Sequence, residues 1–231
     1  MEFKITPYGS NAVLISFKNE ISAEVHNKVR YLYEGFRKFP KKGIIALTPA
    51  YNSLVVYFEP KIQNISGVYD LTEIILSESI SIKLETFQVV LPVCYDDIFG
   101  IDIKFVLEHN NLTFEELIIK HTSPEYLVYM IGFVPGFLYL GGLDEKLHTP
   151  RLSIPRTKIP KGSVGIADNQ TGVYPLETPG GWQLIGNCPL NLTGNNKNAM
   201  IEMGDIVKFT SITKNEHSNL LGKFPERILM S

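Results

Sequence analysis

Proline and glycine are concentrated between Gly132 and Gly186, and their density restricts this segment to shaped loops joined by short strands. Glycine permits positive φ or a close approach of two backbones, whereas proline fixes φ and removes an N–H donor. Loops of fixed shape between rigid elements are where binding and catalytic groups concentrate. The segment is therefore predicted to carry the functional site. Its prolines are Pro135, Pro150, Pro155, Pro160, Pro175 and Pro179.

A basic arm runs through this segment from Thr149 to Ala167 and contains no acidic residue. Its prolines recur at every fifth position, which predicts an extended backbone with little helix. Arginine matches a carboxylate or a phosphate with two parallel hydrogen bonds. The arm is interpreted either as an anion-binding element beside a pocket or as a solvated loop whose arginines pair with acids elsewhere. Its cations are Arg151, Arg156, Lys158 and Lys161.

The composition is that of an ordinary globular chain of 231 residues, with 44% hydrophobic and 20% charged residues. This profile excludes an intrinsically disordered protein. The net charge of −2 argues against a dedicated nucleic-acid-binding protein. Cys94 and Cys188 are the only cysteines and lack metal-ligand spacing. No metal site is therefore predicted, and a reducing compartment is expected.

The start of the chain has no basic residues followed by an apolar run, so no signal peptide is predicted. The longest uncharged run, Tyr126–Leu143, has the length of a membrane span, but Pro135 and four glycines interrupt it. A membrane-spanning segment is therefore not expected, and a cytoplasmic protein is predicted.

Residues 1–82 are predicted to form a small α+β domain, an open sheet with helices on one face. A hairpin begins it, and Ser22 is placed to cap a helix that ends near Phe39–Pro40. The predicted strands are Phe3–Tyr8, Ala12–Phe17, Gly43–Thr48 and Ser53–Phe58, and a second helix is predicted at Val68–Leu76.

Residues 83–231 are predicted to form a mainly β domain, because short strands and frequent turns follow Pro124 and favour a closed or nearly closed β-barrel. A strand-like segment, Ser81–Val93, leads into it. Helices are predicted at Asp102–His109 and Thr113–Lys120, the second with a capping box from Thr113 to Glu116. The clearest predicted strands are Val164–Ala167, Gly172–Tyr174, Trp182–Ile185, Cys188–Leu192 and Ile206–Ile212.

The common catalytic motifs are missing from the sequence. It contains no phosphate-binding GxxxxGK[ST] loop and no HExxH, CxxC, GxSxG or GxGxxG pattern. The histidines are scattered, and His121 and His148 are interpreted as hydrogen-bonded structural or surface residues rather than catalysts. No nucleophile and base can be paired by spacing, so the residues indicate a site without specifying its reaction.

Several long motifs nevertheless occur in an order that resembles one family. They include Gly132–Phe137, Tyr139–Leu143, Gly162–Ala167 and Pro179–Trp182. Pro49–Tyr51 and Leu91–Tyr95, earlier in the chain, also match. On this likeness, which spans nearly the whole chain, the sequence resembles the allophanate hydrolase subunit 1 family. That family includes the B subunit of 5-oxoprolinase and the sporulation kinase A inhibitor of bacilli, and its module also occurs in urea carboxylase.

The resemblance implies an α+β N-terminal domain followed by a cyclophilin-like β-barrel. It also implies a non-autonomous subunit of an ATP-dependent complex that opens 5-oxoproline to glutamate, with partners that are similar to the C and A subunits of 5-oxoprolinase. ATP is then used by the assembled complex, and none is expected to bind tightly to this chain. The alternative is an inhibitor that binds a sensor histidine kinase and blocks its autophosphorylation.

Under the oxoprolinase interpretation, the predicted site lies in the Pro- and Gly-rich segment. Arg151 or Arg156 binds the carboxylate of the substrate or a phosphorylated intermediate, and Gln170 and Thr171 position its polar face. Aromatic side chains supply apolar walls: Phe133, Phe137, Tyr139, Tyr174 and Trp182. One departure concerns Asn187, which stands where the resembling family commonly has an arginine.

Overall fold

The computed structural model describes residues 3–38, 43–77, 82–194 and 199–230. The chain divides into two compact units, one ending at Glu85 and the other beginning at Thr86. This division lies close to the domain boundary predicted near residue 82.

The first unit is a four-stranded antiparallel sheet packed against two helices. The predicted hairpin is confirmed, because β1 pairs with β2 from Lys4 opposite Ser16 to Pro7 opposite Val13. The sheet order is β1-β2-β4-β3, with every neighbouring pair antiparallel. Its elements are β1 (Lys4–Pro7), β2 (Ala12–Ser16), α1 (Ala23–Lys38), β3 (Ile44–Pro49), β4 (Ser53–Phe58) and α2 (Ile65–Leu76).

The helices of this unit bury one face each against the sheet. In α1 the predicted apolar positions Val25, Val29, Leu32 and Phe36 are all buried, as a period of 3.6 residues requires. The predicted end of α1 at Phe39–Pro40 lies outside the described residues. Helix α2 begins earlier than predicted, because the Asn64 side chain accepts a hydrogen bond from the Gly67 N–H and caps it.

The second unit contains the remaining strands and three short α-helices among its described residues. The capping box predicted for α4 is confirmed, since Thr113 and Glu116 each bond the backbone N–H of the other. The elements are β5 (Phe87–Val93), α3 (Ile103–Asn110), α4 (Phe114–Thr122), β6 (Tyr126–Ile131), β7 (Leu138–Gly141), a 3₁₀ turn (Glu145–Leu147), β8 (Arg156–Ile159), β9 (Ser163–Ala167), β10 (Gln170–Val173), β11 (Thr178–Gly180), β12 (Gln183–Asn187), β13 (Ile206–Ser211), α5 (Lys214–Leu220) and β14 (Ile228–Leu229).

An eight-stranded sheet dominates this unit, in the order β12-β9-β10-β7-β6-β13-β5-β14. Strands β5 and β13 are parallel, and the other neighbours are antiparallel. Within the described residues no ladder joins β12 to β5, and a single antiparallel bridge between Cys94 and Asn187 connects them. The closed cyclophilin-like barrel predicted from the sequence is therefore not confirmed. A mixed α/β unit with several sheets is observed.

The large sheet separates two apolar clusters. The larger one contains Tyr126, Val164 and Phe209 and packs against the helices α3 and α4. The smaller one is mainly aromatic and includes Phe137, Tyr174 and Trp182. It is bordered by a separate two-stranded ribbon, in which β8 pairs with β11. This smaller cluster is where the residues of the predicted site are found.

One predicted strand is wrong. Cys188–Leu192 is not a strand, because its backbone N–H groups bond to separate segments: Cys188 N to the Gly162 oxygen and Asn191 N to the Lys223 oxygen. Pro189 also supplies no donor for a ladder. The strand-like segment Ser81–Val93 shortens to β5, because Lys83 to Thr86 form no strand and Ser81 lies outside the described part of the chain.

Among the described residues, no helix combines the length and the apolar character needed to cross a bilayer.

Candidate functional site

An aromatic cavity of about 200 Å³ brings together most of the predicted site residues. It is formed where the β6–β7 connection, the basic arm and the β11–β12 connection meet. Of the described residues that line it, Arg151 alone carries a charge. The lining residues are Phe133, Phe137, Tyr139, Arg151, Leu152, Pro155, Tyr174, Gly180, Gly181 and Trp182.

Trp182 lies on a platform made by two glycines of adjacent strands. Gly165 of β9 and Gly172 of β10 face each other in the antiparallel ladder. A Cβ at Gly172 would lie 2.9 Å from Trp182 Cζ3, and one at Gly165 would lie 3.0 Å from Trp182 Cβ. Side chains at these positions would displace the indole ring. The glycines of the segment therefore determine where the only tryptophan of the chain can sit.

Phe137 is the centre of the aromatic cluster. Its ring contacts four others edge to face, with centroid distances of 4.8 Å to Tyr139, 4.9 Å to Tyr174, 5.3 Å to Trp182 and 5.8 Å to Phe133. Perpendicular contacts at these separations are the favoured geometry for aromatic pairs. Phe137, Tyr174 and Trp182 are buried, so the cluster is a rigid wall rather than a set of independent side chains.

Arg151 provides the positive charge of the cavity. Its Nε donates a 3.2 Å hydrogen bond to Oδ2 of Asp168, and its side chain remains 55% exposed. The guanidinium carbon lies 5.9 Å from the centroid of the Trp182 ring, within the range of a cation–π contact. The bond to Asp168 uses one of the five N–H donors of the guanidinium, so an incoming carboxylate has donors available.

Arg156 is placed outside the cavity lining. Its Nη2 donates a 2.6 Å hydrogen bond to Oδ1 of Asp102, whose other oxygen accepts the Leu184 N–H at 2.7 Å. The Arg156 side chain is 26% exposed and that of Asp102 is 10% exposed. The pair therefore fixes strand β12 to the start of α3, and Nη1 of Arg156 also donates a 3.5 Å hydrogen bond to the Trp182 backbone oxygen.

Gln170 and Thr171 also lie outside the lining, although both are on β10. Thr171 is fully buried on the opposite side of the sheet from Trp182, where its hydroxyl donates to the Gly165 oxygen at 3.0 Å. Its oxygen lies 2.9 Å from Nε2 of His121. Because a strand alternates its side chains between two faces, Thr171 cannot share the face of Gly172, on which Trp182 lies.

His121 belongs to this buried polar network, which agrees with its interpretation as a hydrogen-bonded structural residue. Since the Thr171 hydroxyl donates to a carbonyl, Nε2 of His121 must be the donor to Thr171. The Tyr95 hydroxyl then donates to Nδ1 at 2.6 Å. Burial lowers the pKa of His121 to about 3 and raises the pKa of Tyr95 well above its usual value, so both groups are neutral.

The two tyrosines of the cavity are also neutral near pH 7. Burial raises the pKa of Tyr174 to about 12, while the Trp182 backbone N–H acts in the opposite direction. Burial likewise raises the pKa of Tyr139, although the nearby Arg151 opposes the shift. A protonated phenol can donate a hydrogen bond to a carbonyl oxygen. The cavity thus combines one cation, neutral donors and apolar walls.

A larger depression of about 640 Å³ lies beside α3 and contains none of the predicted site residues. Three acidic residues and four apolar or aromatic residues line it together with Lys104, and Asp96 among the acids is paired with Lys214 at 2.8 Å. Most of the predicted site residues line the smaller cavity instead, where aromatic walls surround a single cation. The smaller aromatic cavity is therefore the better candidate for a binding site.

Asn187, which stands where the family commonly has an arginine, is buried and makes its hydrogen bonds inside the protein. Its amide oxygen lies 2.8 Å from Nε2 of His217, and its amide nitrogen donates to the Lys161 oxygen at 2.9 Å. It does not belong to the cavity lining. The asparagine therefore joins β12 to α5 and to the basic arm.

The sequence did not reveal Asp102 and Asp168, whose carboxylates accept hydrogen bonds from Arg156 and Arg151, respectively. Asp102 lies 54 positions from Arg156 along the chain, and no local pattern connects such distant residues. Asp168 lies in the turn between β9 and β10 with a φ of 51°, a conformation in which aspartate is enriched. An Asp-Asn pair between two short strands was the only available sign of that turn.

The comparison with protein families agrees with the motifs that surround this cavity. Residues 3–202 match the model of the carboxyltransferase domain, subdomain C and D. The chain belongs to this family. The match covers most of the first unit and all the segments that form the aromatic cavity.

Relatives and solved structures extend this assignment. The carboxyltransferase-domain chain is 39% identical to the B subunit of 5-oxoprolinase from Bacillus subtilis (strain 168), covering 94% of this chain and 96% of that protein. It resembles the crystal structure of TTHA0988 with a TM-score of 0.78 at 28% identity, covering 88% of this chain but only 40% of that one. The Kluyveromyces lactis urea carboxylase shares the fold with a TM-score of 0.79 at 17% identity, covering 99% of this chain and 24% of that one.

Proposed function

We propose that this chain is a non-autonomous subunit of an ATP-dependent, 5-oxoprolinase-type complex and that its aromatic cavity binds 5-oxoproline. The observation that carries the proposal is a small cavity with aromatic walls and a single cation, in a chain 39% identical to a B subunit of 5-oxoprolinase. The partners are proteins similar to the C and A subunits of 5-oxoprolinase. ATP is consumed by the assembled complex and is not held tightly by this chain.

The chemistry of the ligand fits the cavity. Its volume of about 200 Å³ is below the range of about 300–1,000 Å³ typical of drug-sized ligands, so it suits a small ring. 5-Oxoproline carries one carboxylate, which Arg151 binds by charge-assisted hydrogen bonds. Its lactam carbonyl accepts a hydrogen bond from a neutral phenol of the lining, such as that of Tyr174.

The same features disfavour the product. Glutamate carries a second carboxylate and an ammonium group, and each extra charge must lose its water to enter an apolar cavity with one cation. Ring opening therefore weakens the interaction with the aromatic walls and promotes release of the product. The role of this chain is to bind and orient the lactam and to exclude water from it, while the partners supply the ATP chemistry.

Reconstitution tests the proposal. The purified chain alone is expected to show no 5-oxoproline-dependent ATP hydrolysis, and addition of both partners is expected to restore it. In the restored complex, Arg151→Ala raises the KM for 5-oxoproline, whereas Lys158→Ala leaves it unchanged because Lys158 is exposed, pairs with Glu177 and is outside the cavity. Turnover by the isolated chain, or equal KM values for the two variants, would contradict the proposal.

Two further assignments also remain proposals. A cyclophilin-like barrel for the second unit is supported by the Cys94–Asn187 bridge between β5 and β12. A cytoplasmic location is supported by Cys94 and Cys188, which are buried free thiols that suit a reducing compartment. Affinity capture from a cell extract distinguishes the kinase inhibitor from the enzyme subunit. Capture of an identified histidine kinase favours the inhibitor, and capture of a protein similar to the C subunit of 5-oxoprolinase favours the enzyme.

A further inference from the structure

The backbone at Phe133 has a conformation that a bulky L-residue rarely adopts. Its φ is 66°, in the left-handed region, and the Val134 N–H donates a 2.8 Å hydrogen bond to the Gly132 oxygen. A hydrogen bond between residues two positions apart, with a positive φ at the central residue, defines the rare and strained form of the γ-turn. Such strain is concentrated at ligand clamps and other functional sites.

Burial of the side chain does not offset this strain. Phe133 is 62% exposed, and its ring meets only the edge of Phe137, with centroids 5.8 Å apart, among the ring contacts of the described residues. The ring nevertheless lines the aromatic cavity. An exposed phenyl ring, held by a strained backbone beside a cavity, is positioned for a ligand rather than for the fold.

The β6–β7 connection that contains this turn is more closely enclosed at Gly136 than at Gly132. Gly136, with a φ of 83°, is tightly packed: a Cβ there would lie 2.6 Å from Cγ2 of Thr193. At Gly132 the nearest atom to such a Cβ is the terminal methyl carbon of Met130, at 3.4 Å. The connection is anchored by this packing at Gly136 and by the hydrogen bond from the Gly132 N–H to the Phe137 oxygen, so the Phe133 ring is held beside the cavity.

We propose that Phe133 is a specificity-determining cap, which packs on the apolar face of a small cyclic carboxylate whose anionic group is held by Arg151. This inference rests on the proposed function of the cavity and adds the class of ligand it selects. A ring presents a continuous apolar face to the phenyl group, whereas an open chain of the same polarity does not. The positive φ keeps the phenyl ring at the mouth of the cavity before the ligand arrives, which lowers the entropic cost of binding.

Two matched probes test the cap: 5-oxoproline and N-acetylglycine, which share an amide and a carboxylate but differ in the ring. Binding to the full-length chain is followed through the fluorescence of Trp182, the only tryptophan. The wild-type chain is expected to prefer the cyclic probe by roughly tenfold or more, the size of a ΔΔG of about 1.4 kcal/mol. Phe133→Ala should reduce this preference toward unity, and Phe133→Tyr should retain it.

The outcomes separate the two proposals. If the wild-type chain prefers the cyclic probe and Phe133→Ala preserves that preference, the cap is refuted and the binding role of the cavity stands. If the wild-type chain binds neither probe, the cavity is not the 5-oxoproline site, and both proposals fail. A second measurement needs no ligand: Phe133→Gly should unfold at a higher temperature than Phe133→Ala, because glycine adopts the positive φ without strain. Equal melting temperatures would show that the turn stores no strain.

Discussion

At the scale of single residues, Arg151 and Arg156 have separate tasks despite their similar sequence context. Each follows a proline in the same extended arm, and each meets one aspartate. The Arg151 pair is exposed, and such pairs contribute about 0–1 kcal/mol, so a ligand carboxylate can compete with Asp168. The Arg156 pair is largely buried, and it stabilises the strand beneath Trp182 instead.

Two adjacent glycines of the cavity provide a matched pair of substitutions. A Cβ at Gly180 would lie 2.5 Å from the Tyr174 hydroxyl and 2.7 Å from Cδ1 of Ile159, whereas one at Gly181 would make ordinary contacts of 3.7 Å. Gly180→Ala is therefore expected to lower the free energy of unfolding by about 1–3 kcal/mol. Gly181→Ala should keep the stability near that of the wild type and weaken binding of 5-oxoproline by narrowing the cavity.

Denaturant titration and ligand titration of both variants check this expectation. Gly180→Ala should lose more stability than Gly181→Ala, because only Gly180 is tightly packed. If Gly181→Ala bound 5-oxoproline as tightly as the wild type, the ligand would not lie against Gly181.

At the scale of secondary-structure elements, the sequence pattern predicted the features that interactions between neighbouring residues determine. The capping box of α4 and the hairpin of β1 and β2 follow from neighbouring residues, and both are observed. Strands β6 and β7 were missed because Tyr126–Leu143 was noted only as an uncharged run. Helix α5 was missed although Thr213 and Glu216 form a capping box, because its seven residues are mostly polar.

Helix α4 is joined to the large sheet by the neutral His121, and this contact makes stability depend on pH. The folded pKa of His121 is about 3, below its ordinary value of 6.5, so the unfolded state binds the proton first as the pH falls. The contribution of the neutral imidazole to the free energy of unfolding is fully present above about pH 6.5 and is lost as the pH falls toward 3. The groups facing the ring are the hydroxyls of Tyr95 and Thr171 and the rings of Tyr126 and Phe209.

Measurement of the free energy of unfolding from about pH 4 to about pH 7 checks this dependence. The wild-type chain should be less stable at the acidic end, and His121→Gln should show a slope smaller by up to one proton. Identical slopes for wild type and His121→Gln would contradict a neutral buried imidazole.

At the scale of the whole molecule, the sequence motifs identified the family and the segment that forms the aromatic cavity, but not the partners of its side chains. Phe133, Phe137, Tyr139, Arg151, Tyr174 and Trp182 meet around one cavity, as predicted from their shared segment. Arg156 does not join them because it pairs with Asp102, and Thr171 does not because strand alternation places it on the opposite face of β10. Gln170 also lies outside the lining. Both causes depend on strand register and on residues distant in sequence, which composition does not encode.

In the proposed function, Arg151 and the aromatic walls form a binding site for a small cyclic carboxylate. Titration of the chain with 5-oxoproline, followed by Trp182 fluorescence, tests it most directly, since that ring lies 5.9 Å from the guanidinium carbon. The wild-type chain and Lys158→Ala should give the same saturable change. Arg151→Ala should weaken binding roughly 10- to 100-fold, the equivalent of losing a charge-assisted hydrogen bond of about 1.5–3 kcal/mol. A wild-type affinity retained by Arg151→Ala would contradict the account.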